Sequence, residues 1–350
     1  MRILPIIAGL LVFARWTYAE EMPLHLMDHI PLTGVTGRID HMAVDTVSNR
    51  LFVAALGNNS LEVVDLQKGT KIRTISRLRE PQGVLFIAGS GRLVVSNGGN
   101  GACLVFDANT LELIKRIDLH EDADNLRYDV AAQQLFVAYG RGAIGIFDNN
   151  YERVGVIPLP GHPESFALSR GDGRMFINVP AIQAVVVADV ERRQIVGTWK
   201  LRNARGNFPM ALDGAFHLLL VGARDPSQLV GFDTQSGRVA FTIPIDGDPD
   251  DIHIDSQRRR AYVSCGAGYL DVLERTDSGQ YQSMKKIATA PGARTSLFVS
   301  EMRRLFLAVP HRGQQEAGIW VYAVQPEESV NGQRNRNLSR RRTLGDSTHP

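Results

Sequence analysis

The chain is built from short apolar or alternating runs, each closed by Gly, Asn, Asp or Pro. In RIDHMAVDTVSNRLFVAALGNNSLEVVDLQKGTKIRTISRL (38–78) four such runs, 41–45, 50–55, 61–66 and 71–75, are separated by turn residues. Runs of this length, rich in Val, Ile, Leu and Phe, predict β-strands. Helix formers are not favoured, and the 33 Gly and 16 Pro are spread evenly, so the pattern predicts an all-β chain.

The four-run unit recurs. A second copy (79–120) contains GVLFIAGSGRLVVSNGGNGACLVFDANTLELIKRIDL and a third (121–160) contains NLRYDVAAQQLFVAYGRGAIGIFDNNYERVGVIPL; four more begin near Gly161, Asn203, Gly247 and Ala290. The period of about 42 residues is that of a four-stranded propeller blade. The third run often ends in Asp (VVDL, VFDA, IFDN, VADV, GFDT), which suits a turn into a fourth strand. The seventh copy stops at its third run, GIWVYAV (318–324), while LHLMDHIPLTG (24–34) looks like a fourth strand. The N-terminal strand is therefore expected to complete the last blade and close a seven-bladed β-propeller, leaving no open sheet edge.

The strings RLFVAALGNNSLEVVDLQKG, RLVVSNGGNGACLVFDANT and QLFVAYGRGAIGIFDNN resemble YVTN-type repeats. The resemblance spans 24–324 and implies a propeller similar to YncE-like secreted proteins. Members are mostly exported binding or scaffold-like proteins, and related propellers include lactonases and lyases. Blades four, five and seven depart from the signature.

Composition adds a compartment. Arg2, the apolar stretch from Ile3 to Ala14 and Thr17-Tyr18-Ala19 read as a signal peptide over 1–19, too short to span a bilayer, so the mature protein (propeller 20–324) is expected in a bacterial periplasm or outside the cell. Residues 325–350 form a basic tail expected to be disordered; its last twenty residues hold five Arg and one Asp. The formal charge of +2 belongs to these two ends, leaving a mildly acidic body that carries no nucleic-acid footprint. Cys103 and Cys265 fall in non-adjacent blades and are expected as buried thiols.

The candidate chemistry comes from comparing copies. Aligning the residues that end the first strands (Asp45, Ile87, Asp129, Ser169, Asp213, Asp255 and Ser300) puts Asp40, Gln82, Asp124, Glu164, Phe208, Asp250 and Thr295 at one register around one channel mouth. Beside them stand His41, Asn125, Ser165, Asp251, Asn207 and Arg294. Converging carboxylates repel unless a cation, a proton or an arginine compensates them. Asp40, Asp124, Glu164 and Asp250 would suit Ca²⁺, Mg²⁺ or Mn²⁺, and His41, His162, His253 and His311 a softer metal. His311, in AVPHRGQQ (308–315), is expected on the same face as a base or ligand, with Arg312 beside it. His253 reads better as a satisfied histidine between sheets.

Two functions follow. One is a binding or scaffold protein that takes a small molecule, a cation or a protein partner at the acid-lined mouth. The other is a metal-dependent hydrolase or lyase on a lactone or sugar-acid-like substrate, with His311, Arg294 and Asp250 as the candidates for catalysis. No G-x-S-x-G, P-loop, H-E-x-x-H or C-x-x-C motif supports a more specific reaction.

Overall fold

The computed structural model describes residues 22–325 apart from Arg170. The expected signal peptide and nearly all of the expected tail lie outside the described residues. Among those described, no helix is long and apolar enough to cross a membrane; helix is limited to three single 3₁₀ turns.

Seven antiparallel four-stranded sheets form a seven-bladed β-propeller. Blades one to six span residues 42–75, 81–118, 123–158, 166–200, 205–244 and 249–288; blade seven joins 296–324 to the N-terminal strand Leu24–Pro31. The four strands of blade one, Met42–Asp45, Arg50–Ala55, Ser60–Asp65 and Thr70–Ile75, fall within a residue of the sequence reading. Leu24–Pro31 pairs antiparallel with Gly318–Val324, Leu24 opposite Val324 and Pro31 opposite Gly318, as closure requires.

Alternation along each strand sends side chains to the two neighbouring blades. The core is accordingly seven apolar clusters, one at each blade interface. At the interface of blades four and five, Trp199 packs between Phe176 and Phe232 with ring centroids 5.1 and 5.8 Å away. Cys103 and Cys265 are buried and unbonded. Burial pushes the Cys103 thiol up to about 12 and the Cys265 thiol higher still, so neither is a nucleophile.

Two polar devices join the blades. Within the second strands, one position is Ala, Ser, Asn or Gly in every copy; where it is Ser or Asn it reaches the first strand of the next blade. Ser96 Oγ donates to the Asp124 carbonyl, Asn178 Nδ2 donates to the carbonyls of Phe208 (3.0 Å) and Pro209 (3.2 Å), and Ser264 Oγ donates to Ser296 Oγ (2.6 Å). At the other end of the strands, in blades one, four and six, the arginine opening the second strand latches onto the turn of the next blade. Arg50 pairs with Asp45 (2.9 Å) and donates to the Ala108 carbonyl (2.6 Å). Arg174 donates to the Thr234 carbonyl (2.7 Å) and Arg260 to the Gln325 carbonyl (3.1 Å). The aspartates ending third strands act as the sequence implied: Asp65, Asp107 and Asp233 accept from backbone N–H groups two or three residues on.

Candidate ligand site at the channel mouth

The first strands bring one register of residues to the channel mouth because each is paired to its second strand in the same way. Backbone pairing fixes the equivalences: the carbonyls of His41, Ser165 and Thr295 each accept from the matching second-strand residue, Ala54, Asn178 and Ala308. Thr295 is thus the counterpart of His41, and the seventh place in the ring belongs to Arg294. The alignment on Ser300 was one residue long, because the strand ends at Val299, paired with Arg304 as Asp45 is with Arg50.

With that correction, Asp40, Gln82, Asp124, Glu164, Phe208, Asp250 and Arg294 all line one cavity of about 240 Å³. Arg38, Asp122 and His162 enter it from two residues earlier, on the same side of an extended backbone. Asp248, from the same earlier register, pairs with both arginines described next. Arg224 enters from the second strand of blade five, which runs to Asp225 and is longer than its counterparts. A second cavity of about 260 Å³ adjoins it along the channel, sharing His41, Asn125 and Ser165 and lined further by Arg127, Asp251 and His253.

The acids are not equally compensated. Asp250 accepts from Arg294 Nε at 2.9 Å and from Arg224 Nη2 at 2.5 Å. Asp248 bridges the same two arginines at 2.9 and 3.1 Å, and the Arg224 guanidinium lies 3.8 Å from the centre of the Phe208 ring. Asp40, almost fully buried, lies 2.9 Å from Arg38 Nη2. No guanidinium pairs with Asp124 or Glu164 among the described residues. Burial, then the charges of Asp40 and Glu164, push the Asp124 carboxyl up to about 7. Burial also raises Glu164, against the pull of His162 and Arg224. Burial and Asp40 lift Asp250 to about 6 despite its two arginines.

His41 sits between Asp40 (3.8 Å) and Asp251 (3.7 Å). Burial works against its charge, but Asp251, Asp40 and Asp124 outweigh it and push the imidazole up to about 10, so it is a fixed cation below the mouth. His41 in turn holds Asp251 down against burial, and Asp251 also accepts from the Ser296 N–H at 2.8 Å. His253 bonds the Ser296 carbonyl at 3.1 Å, and burial pushes its pKa down, as a satisfied inter-sheet histidine requires.

Asp251 lines only the second cavity, and two expected residues line neither. Asn207 is fully buried between blades four and five, donating to Asn178 Oδ1 and to the Ala184 carbonyl, both at 3.0 Å. The side chain of Phe208, one residue on, faces the cavity instead. His311 is exposed on the 310–317 loop with Arg312 and lines neither cavity. No three His, Cys, Asp or Glu side chains among the described residues are grouped so as to hold one metal ion. Asp40, Asp124, Glu164 and Asp250, as placed here, are not grouped around one point.

Neither a protein-family model nor a curated protein matches the chain. Solved structures do. A chain of the Kuenenia stuttgartiensis hydrazine synthase structure superposes with a TM-score of 0.72 at 15% identity, covering 84% of this chain and 99% of that one. A chain of a mitotic checkpoint complex structure gives 0.73 at 14% identity, covering 91% and 98%. At such identities the likeness shows the propeller fold, which hosts many unrelated functions.

Proposed function

We propose that this is an exported β-propeller of the YVTN type whose channel mouth binds a small ligand carrying a cationic group. The observation that supports it is the uneven pairing of the ring. Asp40, Asp248 and Asp250 have arginine partners, whereas Asp124 and Glu164 face the cavity with none and are raised by burial and by neighbouring acids, Asp40 and Glu164 for the first and Asp122 and Asp40 for the second. An ammonium group there would relieve both. Arg38, Arg224 and Arg294 on the other walls would orient hydroxyl or carboxylate groups of the same ligand. A cavity of about 240 Å³ admits an amino-acid-sized or sugar-sized molecule rather than a folded partner. The YVTN-type signature and the leader-like residues 1–19 support export. Calorimetric titration of the purified protein with small amines, neutral sugars and carboxylates tests the reading. Amines bind at pH 8, and the Asp124→Asn, Glu164→Gln double variant loses that binding with no fall in its melting temperature. Binding of carboxylates alone, untouched by that variant, would overturn it.

A second reading is favoured by Asp124 itself. A cavity carboxyl titrating near 7 is suited to proton transfer, as in a hydrolase or lyase acting on a lactone or sugar acid, with Arg294 or Arg38 holding the carboxylate. No step is routed through a metal, because the residues present do not close around one. Chelation should leave the melting temperature unchanged; a fall of several degrees would restore the divalent-cation site.

A further inference from the structure

At the seam of blades two and three an arginine stands in the latch position, Arg92, but does not make the latch. The positions of Asp45, Arg50 and Ala108 are there occupied by Ile87, Arg92 and Asn149. Arg92 pairs with Asp107 of its own blade at 2.9 Å, and among the described residues it has no hydrogen bond to the turn of blade three. All three positions line a cavity of about 640 Å³. Its lining comes from the turns between first and second strands and from the turn between third and fourth strands of blade three. It thus opens on the face opposite the mouth.

The wall chemistry is restrictive. Phe86, Ile87 and Val130 make an apolar side, Val130 being largely exposed, and Tyr128 and Tyr151 present rings from blade three. Tyr151 is set there by a left-handed backbone (φ 64°) in the turn that the latch would otherwise grip. Gln133, Asn149 and Ser90 supply polar edges. Arg92 is the single charged residue lining the cavity; its partner Asp107 is not part of the lining.

We propose that this cavity binds a small aromatic or alicyclic anion, a carboxylate or sulfonate. Its rings lie between the two tyrosines and the apolar wall of blade two, and its acid group lies on the Arg92 nitrogens not engaged by Asp107. The volume falls in the range of small-molecule sites, and a guanidinium without a lining acid discriminates against cations. The site stands apart from the mouth and does not depend on the reading given above.

Anilinonaphthalene sulfonate, followed by calorimetry and fluorescence with the purified protein, is the probe. One saturable site is expected. Arg92→Gln should weaken it about tenfold, the loss of one charge-assisted contact. Gly89→Trp should abolish it, since Gly89 lines the cavity, a Cβ there meets no atom within 4 Å, and an indole would compete for the same space. Uncharged anilinonaphthalene should bind about tenfold more weakly than the sulfonate. Asp124→Asn, at the far mouth, should change nothing. Unchanged affinity in folded Arg92→Gln and Gly89→Trp proteins, or loss of binding in Asp124→Asn, would overturn the proposal. If Gly89→Trp does not fold, Arg92→Gln and the uncharged probe decide it between them.

Discussion

Asp124 is the residue on which the mouth's behaviour turns. Its folded pKa, about 7, lies above that of an unfolded aspartate, so between about pH 4 and 7 the native state binds the extra proton. Stability contributed by this group is therefore fully present below the unfolded pKa and lost as pH rises to 7. Asp124→Asn removes that dependence: its gain in stability over the parent should be near zero at pH 4. It should grow to on the order of 4 kcal/mol by pH 8, measured by urea denaturation across pH. Binding of an amine should show the opposite trend in the parent, weakening as pH falls below 7. His41 gives a second check, because its imidazole should remain protonated through pH 8 in NMR spectra. Asp40, Asp124, Glu164 and Asp250 were legible in the sequence because a repeat can be aligned on its strand ends. Arg224 was not, because it projects from an arm of blade five that outgrows the repeat. Nor was the place of Arg294, since a strand end misjudged by one residue turns each side chain to the other side.

At the scale of the element, a strand here is specified twice, by its apolar alternation and by what its one polar core position reaches. Asn178 is fully buried and serves three partners: it donates to the Phe208 and Pro209 carbonyls and accepts from Asn207. Asn178→Ala would strand those groups in the core, at a cost of about 2–3 kcal/mol, read as a lower denaturant midpoint with unchanged slope. The backbone around Phe208 would lose its anchor, so ligand binding at the mouth should weaken as well. The strands themselves were readable from their pattern to within a residue. The cross-blade roles of Ser96, Asn178 and Ser264 were not, since a lone polar residue in an apolar run does not announce which neighbour it serves. Asn207 shows the same limit from the other side, a polar residue near the mouth's register that belongs to the core.

For the whole molecule, closure matters more than any single blade. The seven interface clusters have equal standing only while the ring is shut, and Leu24–Pro31 shuts it. Deleting residues 20–31 should leave Gly318–Val324 as a bare edge, giving association on size-exclusion chromatography and a broad, less cooperative melt. The fold as a whole was legible because periodicity and the mismatch between the two chain ends are both visible without coordinates. What the molecule binds was only partly legible, because compensation of charge depends on residues that meet across blades.

The pairing of Leu24 with Val324, reinforced by the Gln325 N–H on the Pro23 carbonyl at 3.1 Å, also sets an order in time. The first strand of the propeller to leave the ribosome cannot find its partner until the last has been made. Blades one to six can each form from local hairpins, but the seventh waits for nearly the whole chain and carries the longest loop-closure cost. Until then, Leu24–Pro31 is an unpaired, half-apolar segment in need of protection. Once the ring is shut, neither Leu24–Pro31 nor Gly318–Val324 offers a free edge at which to begin peeling the propeller apart.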